Sequence, residues 1–320
     1  MLYKLLHVPA KLALLIWCRY VRINKRDILE ADGPLLIAAN HPNSFLDAIL
    51  LCALFKRPIY SLARGDAFKN KIVHKVFLSL KMFPVYRVSE GVENLEENYK
   101  TFDECIEVFK KNGIVLIFSE GRCINEWHLR PLKKGTARLA ITAWEQGIPL
   151  KVIPLGINYH SFKSFGKNIF LNFGNYISKE DFPFADISSS GNRIQLFNAN
   201  LKLALQKLVF EINLNDSFKL QSIFKQKISI VKKLLLFLPA VVGYILHAPL
   251  YIPIQKFAFK KFGEIDHYDS VLVGILFLLY PLYLATIAIV CSCFLGLWST
   301  VFFLLMPFCA CSFIQIKKQF

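Results

Sequence analysis

The chain has 320 residues, of which 54% are hydrophobic and 19% charged, and its 39 Lys and Arg against 23 Asp and Glu give a formal net charge of +16. That length buries a full core and leaves material for a second region. The eight cysteines form no CxxC pair and no metal-ligand cluster, and no zinc-finger spacing or other nucleic-acid module is present. Reduced thiols and no metal are therefore expected, and the basic excess points to anionic lipid headgroups and phosphate-bearing substrates rather than to nucleic acid.

The N-terminal 26 residues are rich in Leu, with Trp17 and Tyr20, but Lys4, His7, Lys11, Arg19 and Arg22 interrupt them. This pattern predicts an amphipathic helix lying at a membrane interface. Lys11 and the bulky run Trp17-Cys18-Arg19-Tyr20 do not suit a cleaved signal peptide. An uncleaved anchor fits the same residues.

Residues 27–215 mix polar and apolar positions as a globular domain does. The first strand is Leu35-Leu36-Ile37-Ala38-Ala39, and Pro42 biases His41 toward extended backbone at its end. Asn43 or Ser44 can cap a helix running from Phe45 to Leu54, which places Asp47 in its first turn. A histidine titrates near neutrality, and a carboxylate on one ring nitrogen fixes the tautomer and stabilises the imidazolium. His41 and Asp47 thus have the wiring of a general base. They read equally well, taken alone, as a capping aspartate beside a surface histidine.

Strands follow over residues 58–64, 83–87, 114–118, 152–159 and 168–173, with helices over 92–111, 134–146 and 192–212 and a basic amphipathic stretch over 67–80. This alternation predicts an α/β domain with a mixed, largely parallel sheet flanked by helices. In such sheets ligands collect beyond the carboxyl ends of the strands. His41, Arg64, Arg87 and Glu120 all follow strands and are expected to face one crevice. Gly121 permits a tight turn, Arg122 can pair with a phosphate, and Lys133-Lys134-Gly135 opens a helix whose free N–H groups favour an anion.

Residues 216–320 are membrane material. Residues 271–290 and 294–314 carry no charge, and each run is long enough to cross a hydrocarbon core of roughly 30 Å as one arm of a hairpin. Residues 234–254 are apolar but hold Pro239, Gly243, Pro249 and Pro253 between basic flanks, which predicts a segment that dips in and returns; a plain third span is the alternative. Lys317 and Lys318 belong with the same cytoplasmic face, so the catalytic domain is expected on the cytoplasmic side of a membrane.

Four segments in this order, His41 to Asp47, Phe83-Pro84-Val85-Tyr86-Arg87, Phe118-Ser119-Glu120-Gly121-Arg122 and Val152-Ile153-Pro154-Leu155-Gly156, resemble the blocks of the glycerol-3-phosphate and 1-acylglycerol-3-phosphate acyltransferases, the PlsC-like superfamily. The apolar C-terminal region is similar to that of its glycerol-3-phosphate branch. The resemblance implies that His41 is the base and Asp47 its orienting partner, that Arg87 binds an acceptor phosphate, that Glu120 and Gly121 hold the acceptor near its glycerol hydroxyls, and that Pro154 shapes the acyl-donor side. It implies acyl-CoA or acyl-carrier protein as co-substrate, no cofactor, and glycerol-3-phosphate or a lysophospholipid as acceptor. Two departures stand out. Five residues rather than four separate His41 from Asp47, and Ser119 stands where the family usually has proline. A lipid hydrolase would need a serine nucleophile on a G-x-S-x-G elbow, which is missing. A non-catalytic lipid binder is the third class, although the hairpin lacks the charges of a transport path.

Overall fold

The computed structural model describes residues 2–86, 95–184, 187–296 and 298–319. Among the described residues seven strands form one sheet: β1 (Cys18–Ile23), β2 (Leu35–Ala39), β3 (Ile59–Arg64), β4 (Met82–Val85), β5 (Ile114–Phe118), β6 (Lys151–Tyr159) and β7 (Lys167–Phe173), in the order β1-β7-β6-β2-β5-β3-β4. The five strands from β6 to β4 run parallel, β7 returns antiparallel beside β6, and β1 lies parallel to β7. The mixed, largely parallel α/β architecture is therefore present. Every residue of β2 is buried, as a central parallel strand covered on both faces requires, and this is why Leu35-Leu36-Ile37-Ala38-Ala39 is apolar without alternation.

Two cores sandwich the sheet. On one face Leu36, Ala38 and Val115 meet α4 (Leu95–Lys110), α5 (Gly135–Glu145) and α6 (Ser190–Gln206) around Trp144 and Phe197. On the other, Leu35, Ile37 and Leu116 meet α1 (Leu2–Trp17) and α2 (Phe45–Leu54). A short helix α3 (Lys71–Ser79) links β3 to β4, and α7 (Ser217–Phe224) follows α6. The eight cysteines are all free.

The N-terminal segment departs from expectation. Its helix stops at Trp17, and residues 18–23 form an edge strand pairing with β7 rather than continuing at an interface. Tyr20, Val21 and Ile23 suit a pleated surface better than a helix. Arg19 is buried and donates to the carbonyls of Ile314 and Lys317, so the strand is also tied to the chain's end.

Among the described residues three long helices follow: α8 (Ile230–Phe262), α9 (Tyr268–Leu295) and α10 (Trp298–Ile316). Each is long and apolar enough to cross a membrane. The dip and return expected over residues 234–254 is not what forms, since α8 is one continuous helix through Pro239, Pro249 and Pro253. Proline interrupts single helical hydrogen bonds, and packing against neighbouring helices holds the helix through them. Gly243 supplies that packing: a Cβ there would overlap the Cys309 carbonyl of α10, so only glycine lets the two backbones approach so closely.

Candidate active site

The site begins where β2 runs out. Asn40 replaces a backbone residue of the ladder, its side chain accepting from Ile157 N (2.7 Å) and donating to Ile157 O (3.1 Å) on β6. The next residue, His41, is thereby placed at the strand tip. Its ring stacks on Phe118 at the end of β5, with centroids 3.8 Å apart and planes 8° from parallel. Two neighbouring strands thus fix both the position and the plane of the imidazole.

Asp47 looks back from the first turn of α2, and its Oδ2 lies 2.8 Å from His41 Nδ1. The carboxylate is fully buried while 18% of the histidine side chain is exposed. Asp47 Oδ2 also accepts the Asn43 N–H (2.9 Å), and Oδ1 accepts the Tyr159 hydroxyl (2.8 Å). A carboxylate so satisfied is held as the acceptor, and it sets Nδ1 as the protonated nitrogen of a neutral imidazole. That leaves the Nε2 lone pair for chemistry.

The additional residue of the turn is absorbed at Ser44, whose backbone adopts φ 53°, ψ −146°. That conformation is costly for a residue with a Cβ. It is held by the Ser44 N–H donating to Cys123 Sγ (2.9 Å) and by Ser44 Oγ lying 2.7 Å from His267 Nδ1. Ser44 occupies the N-cap position of α2 without making a side-chain cap, so the capping expected of Asn43 or Ser44 is not made; Asp47 instead reaches back to accept the Asn43 N–H ahead of the helix.

Glu120, expected near the acceptor, is engaged with the backbone. It is buried, and its two oxygens accept the backbone N–H groups of His41 (2.8 Å) and Arg130 (2.9 Å). Burial raises its pKa, and these two N–H donors partly offset the rise. Glu120 therefore acts on His41 from behind. Pro154 sits inside β6, paired with Ala38.

His41 opens into a groove of about 2110 Å³. One wall is cationic, with Arg64, Arg122, Lys133, Lys134 and Arg138. The other is apolar, where Leu6 and Ala10 of α1, Phe45 and Ile49 of α2, and Val273 and Phe277 of α9 converge. Gly121 lines it too, with φ +64° and with Lys133 Cγ 2.9 Å from where a Cβ would stand. Of the expected anion ligands, Arg122 and Lys134 are exposed on this wall, whereas Arg64 is already forked against Asp66. Arg87 lies outside the described residues. Among the described residues no cluster of His, Cys, Asp or Glu could hold a metal ion.

The model of the Acyltransferase family matches residues 20–158, a span that contains His41, Asp47 and Glu120 together with the strands that carry them. Over residues 20–158 the chain is similar to the Acyltransferase family. The crystal structure of the 1-acyl-sn-glycerophosphate (LPA) acyltransferase PlsC from Thermotoga maritima is similar at 16% identity, covering 64% of this chain and 79% of that one, with a TM-score of 0.42. No curated protein sequence matches the chain.

Several residues of this site were not legible in the sequence. Tyr159 ends a buried strand and reads as core, and Asn43 reads as a helix cap. Asp269 opens an apolar helix and reads as a flank of a membrane span. Asp269 accepts Asn43 Nδ2 (2.8 Å) and pairs with Lys167, and both charged side chains are fully buried. The only signal for this pair was an acid at the boundary of an otherwise uncharged run, which names no partner.

Proposed function

We propose that the chain is a membrane-bound O-acyltransferase that moves a fatty acyl chain from an acyl thioester, acyl-CoA or acyl-carrier protein, to a hydroxyl of glycerol-3-phosphate. The observation that carries this reading is the buried Asp47 on His41 Nδ1, with the rest of the imidazole facing the groove. Nε2 takes the proton of the acceptor hydroxyl as its oxygen attacks the thioester carbonyl. The C–S bond then breaks, and the imidazolium returns the proton to the departing thiolate.

The groove suits two substrates at once. Its volume is about twice the upper end of the ~300–1,000 Å³ typical of a small-ligand site. The cationic wall suits the phosphates of donor and acceptor, and the apolar wall suits the acyl chain. Seating of the three apolar helices in a bilayer, with the domain on the cytoplasmic side against anionic headgroups, would bring both lipid and soluble substrates to this groove. A lysophosphatidic acid acceptor fits the same walls, because its own chain can lie along the apolar one.

A lipid hydrolase is a second reading with one observation in its favour: Ser44, on a strained strand-to-helix turn, pairs with His267 in the same groove. Purified full-length protein, given acyl-CoA and a panel of acceptors, separates these readings. Thiol release that requires glycerol-3-phosphate and disappears in His41→Ala supports the transferase. Release dependent only on a lysophospholipid reassigns the acceptor, and an acyl group trapped on Ser44 with acceptor-independent release reassigns the reaction.

A further inference from the structure

The turn that carries the base is clamped by a segment more than two hundred residues away. Asn43 is held at three points. Its N–H donates to Asp47 Oδ2, its side-chain amide donates to Asp269 Oδ2 (2.8 Å), and its carbonyl accepts from Ser270 Oγ (3.4 Å). Asp269 and Ser270 belong to the first turn of α9. Just before it, Asp266 accepts the N–H of Asn125, whose side chain donates to the Pro42 carbonyl (2.7 Å). Pro42, Asn43 and Ser44, the residues between the base and its helix, are thus all braced from the α8–α9 turn.

The Asp269 carboxylate is fully buried and pairs with Lys167 of β7. The ammonium in turn lies 5.6 Å from the Trp17 ring centroid and 5.7 Å from that of Tyr159, whose hydroxyl is the other partner of Asp47. Burying two charges is costly unless they are paired, and a core of apolar residues would stabilise the fold at least as well.

We propose that Asp269, paired with Lys167, is a positioning residue for the base: through the hydrogen bond it accepts from Asn43 it fixes the N–H that orients Asp47, so the start of the apolar helix α9 helps to place the base. This rests on the transferase reading. Loss of the Asn43 anchor frees the additional residue of the turn, and Asp47 no longer holds His41 in one plane. A misplacement of this kind near the reacting atoms costs on the order of 10²-fold in rate.

The test uses full-length protein in detergent and two double variants that both remove the buried charges. K167M/D269N keeps an oxygen that accepts from Asn43, whereas K167M/D269L does not. The expected result is a kcat near wild type for the Asn variant and a kcat lower by about 10²-fold for the Leu variant, with KM for acyl-CoA alike in both and thermal midpoints reported alongside. Equal kcat in the two overturns the proposal. Should either fail to fold, Asn43→Ala leaves the ion pair in place; a fall in kcat at unchanged KM and thermal midpoint supports the proposal, and an unchanged kcat overturns it. Wild type and His41→Ala are run beside them. Absence of transfer by wild type, or activity retained in His41→Ala, sinks the transferase reading itself, which is a different outcome from equal double variants.

Discussion

Tyr159 donates its hydroxyl to Asp47 Oδ1 at 2.8 Å, on the opposite oxygen from the one that meets His41. The ring is fully buried, and both burial and the adjacent carboxylate hold the phenol in its protonated, donating form. One end of β6 and one end of β2 are thus joined through a single carboxylate, which cannot rotate without losing one of its partners.

Tyr159→Phe keeps the ring and removes that anchor. A hydrogen bond to a charged group contributes about 1.5–3 kcal/mol, so kcat is expected to fall by about tenfold or more, with the thermal midpoint lowered as well. KM for the acyl donor should not move, since Tyr159 does not line the groove. Steady-state kinetics on the purified variant check this, and a raised KM at full kcat would mean that Tyr159 contacts substrate instead.

Glu120 gives the opposite contrast between looks and place. Its carboxylate accepts two backbone N–H groups, so Glu120→Gln turns an NH₂ donor toward one of them. The mismatch leaves a buried donor unsatisfied, with an expected loss of about 1–3 kcal/mol in stability. Because one of those N–H groups belongs to His41, kcat falls while the acceptor KM stays near its wild-type value. A KM effect alone, at unchanged thermal midpoint, would restore Glu120 as a direct acceptor ligand.

The sheet was legible because its strands are short apolar runs ended by polar residues, and β2 and β5 could be read to the residue from Leu35–Ala39 and Ile114–Phe118. His41 and Asp47 were legible because they are local in sequence. The residues that hold them were not. Tyr159 and Asp269 meet Asp47 and Asn43 from 112 and 226 positions away, and a buried tyrosine or a single acid has no spacing that names its partner. The edge strand Cys18–Ile23 was hidden inside a Leu-rich segment because only its pairing with β7 decides between strand and helix. Continuity of α8 depended on contacts with α10 that four helix-breaking residues conceal.

His160 is expected to govern part of the pH dependence of stability. Burial, with Lys167 and Arg19 nearby, lowers its pKa to about 3, and its Nδ1 accepts the Asn168 N–H (2.9 Å). The unfolded chain takes up a proton near 6.5 while the folded one does not, so this contribution is complete above 6.5 and is lost as pH falls toward about 3. Within that window the loss approaches about 1.4 kcal/mol per pH unit. His160→Asn places an oxygen acceptor near the Nδ1 position and does not titrate. Thermal midpoints measured across the window should therefore fall less steeply for the variant, and parallel curves would show that His160 is not the group responsible.

The cationic wall divides by what each charge already has. Arg64 donates to both oxygens of Asp66, so its charge is largely answered before any substrate arrives. Lys134 is exposed on the same groove at the start of α5, where the helix end adds its own attraction for an anion. Lys134→Ala is expected to raise KM for a phosphate-bearing substrate several-fold, with kcat little changed, and the difference should shrink as salt is added. Arg64→Ala should raise KM less, because the phosphate gains little from a guanidinium that must first leave Asp66. The comparison is made on glycerol-3-phosphate and acyl-CoA in turn, at low and high ionic strength. A larger effect from Arg64 than from Lys134 would mean that Asp66 releases the guanidinium when substrate binds, and that the groove is lined differently once occupied.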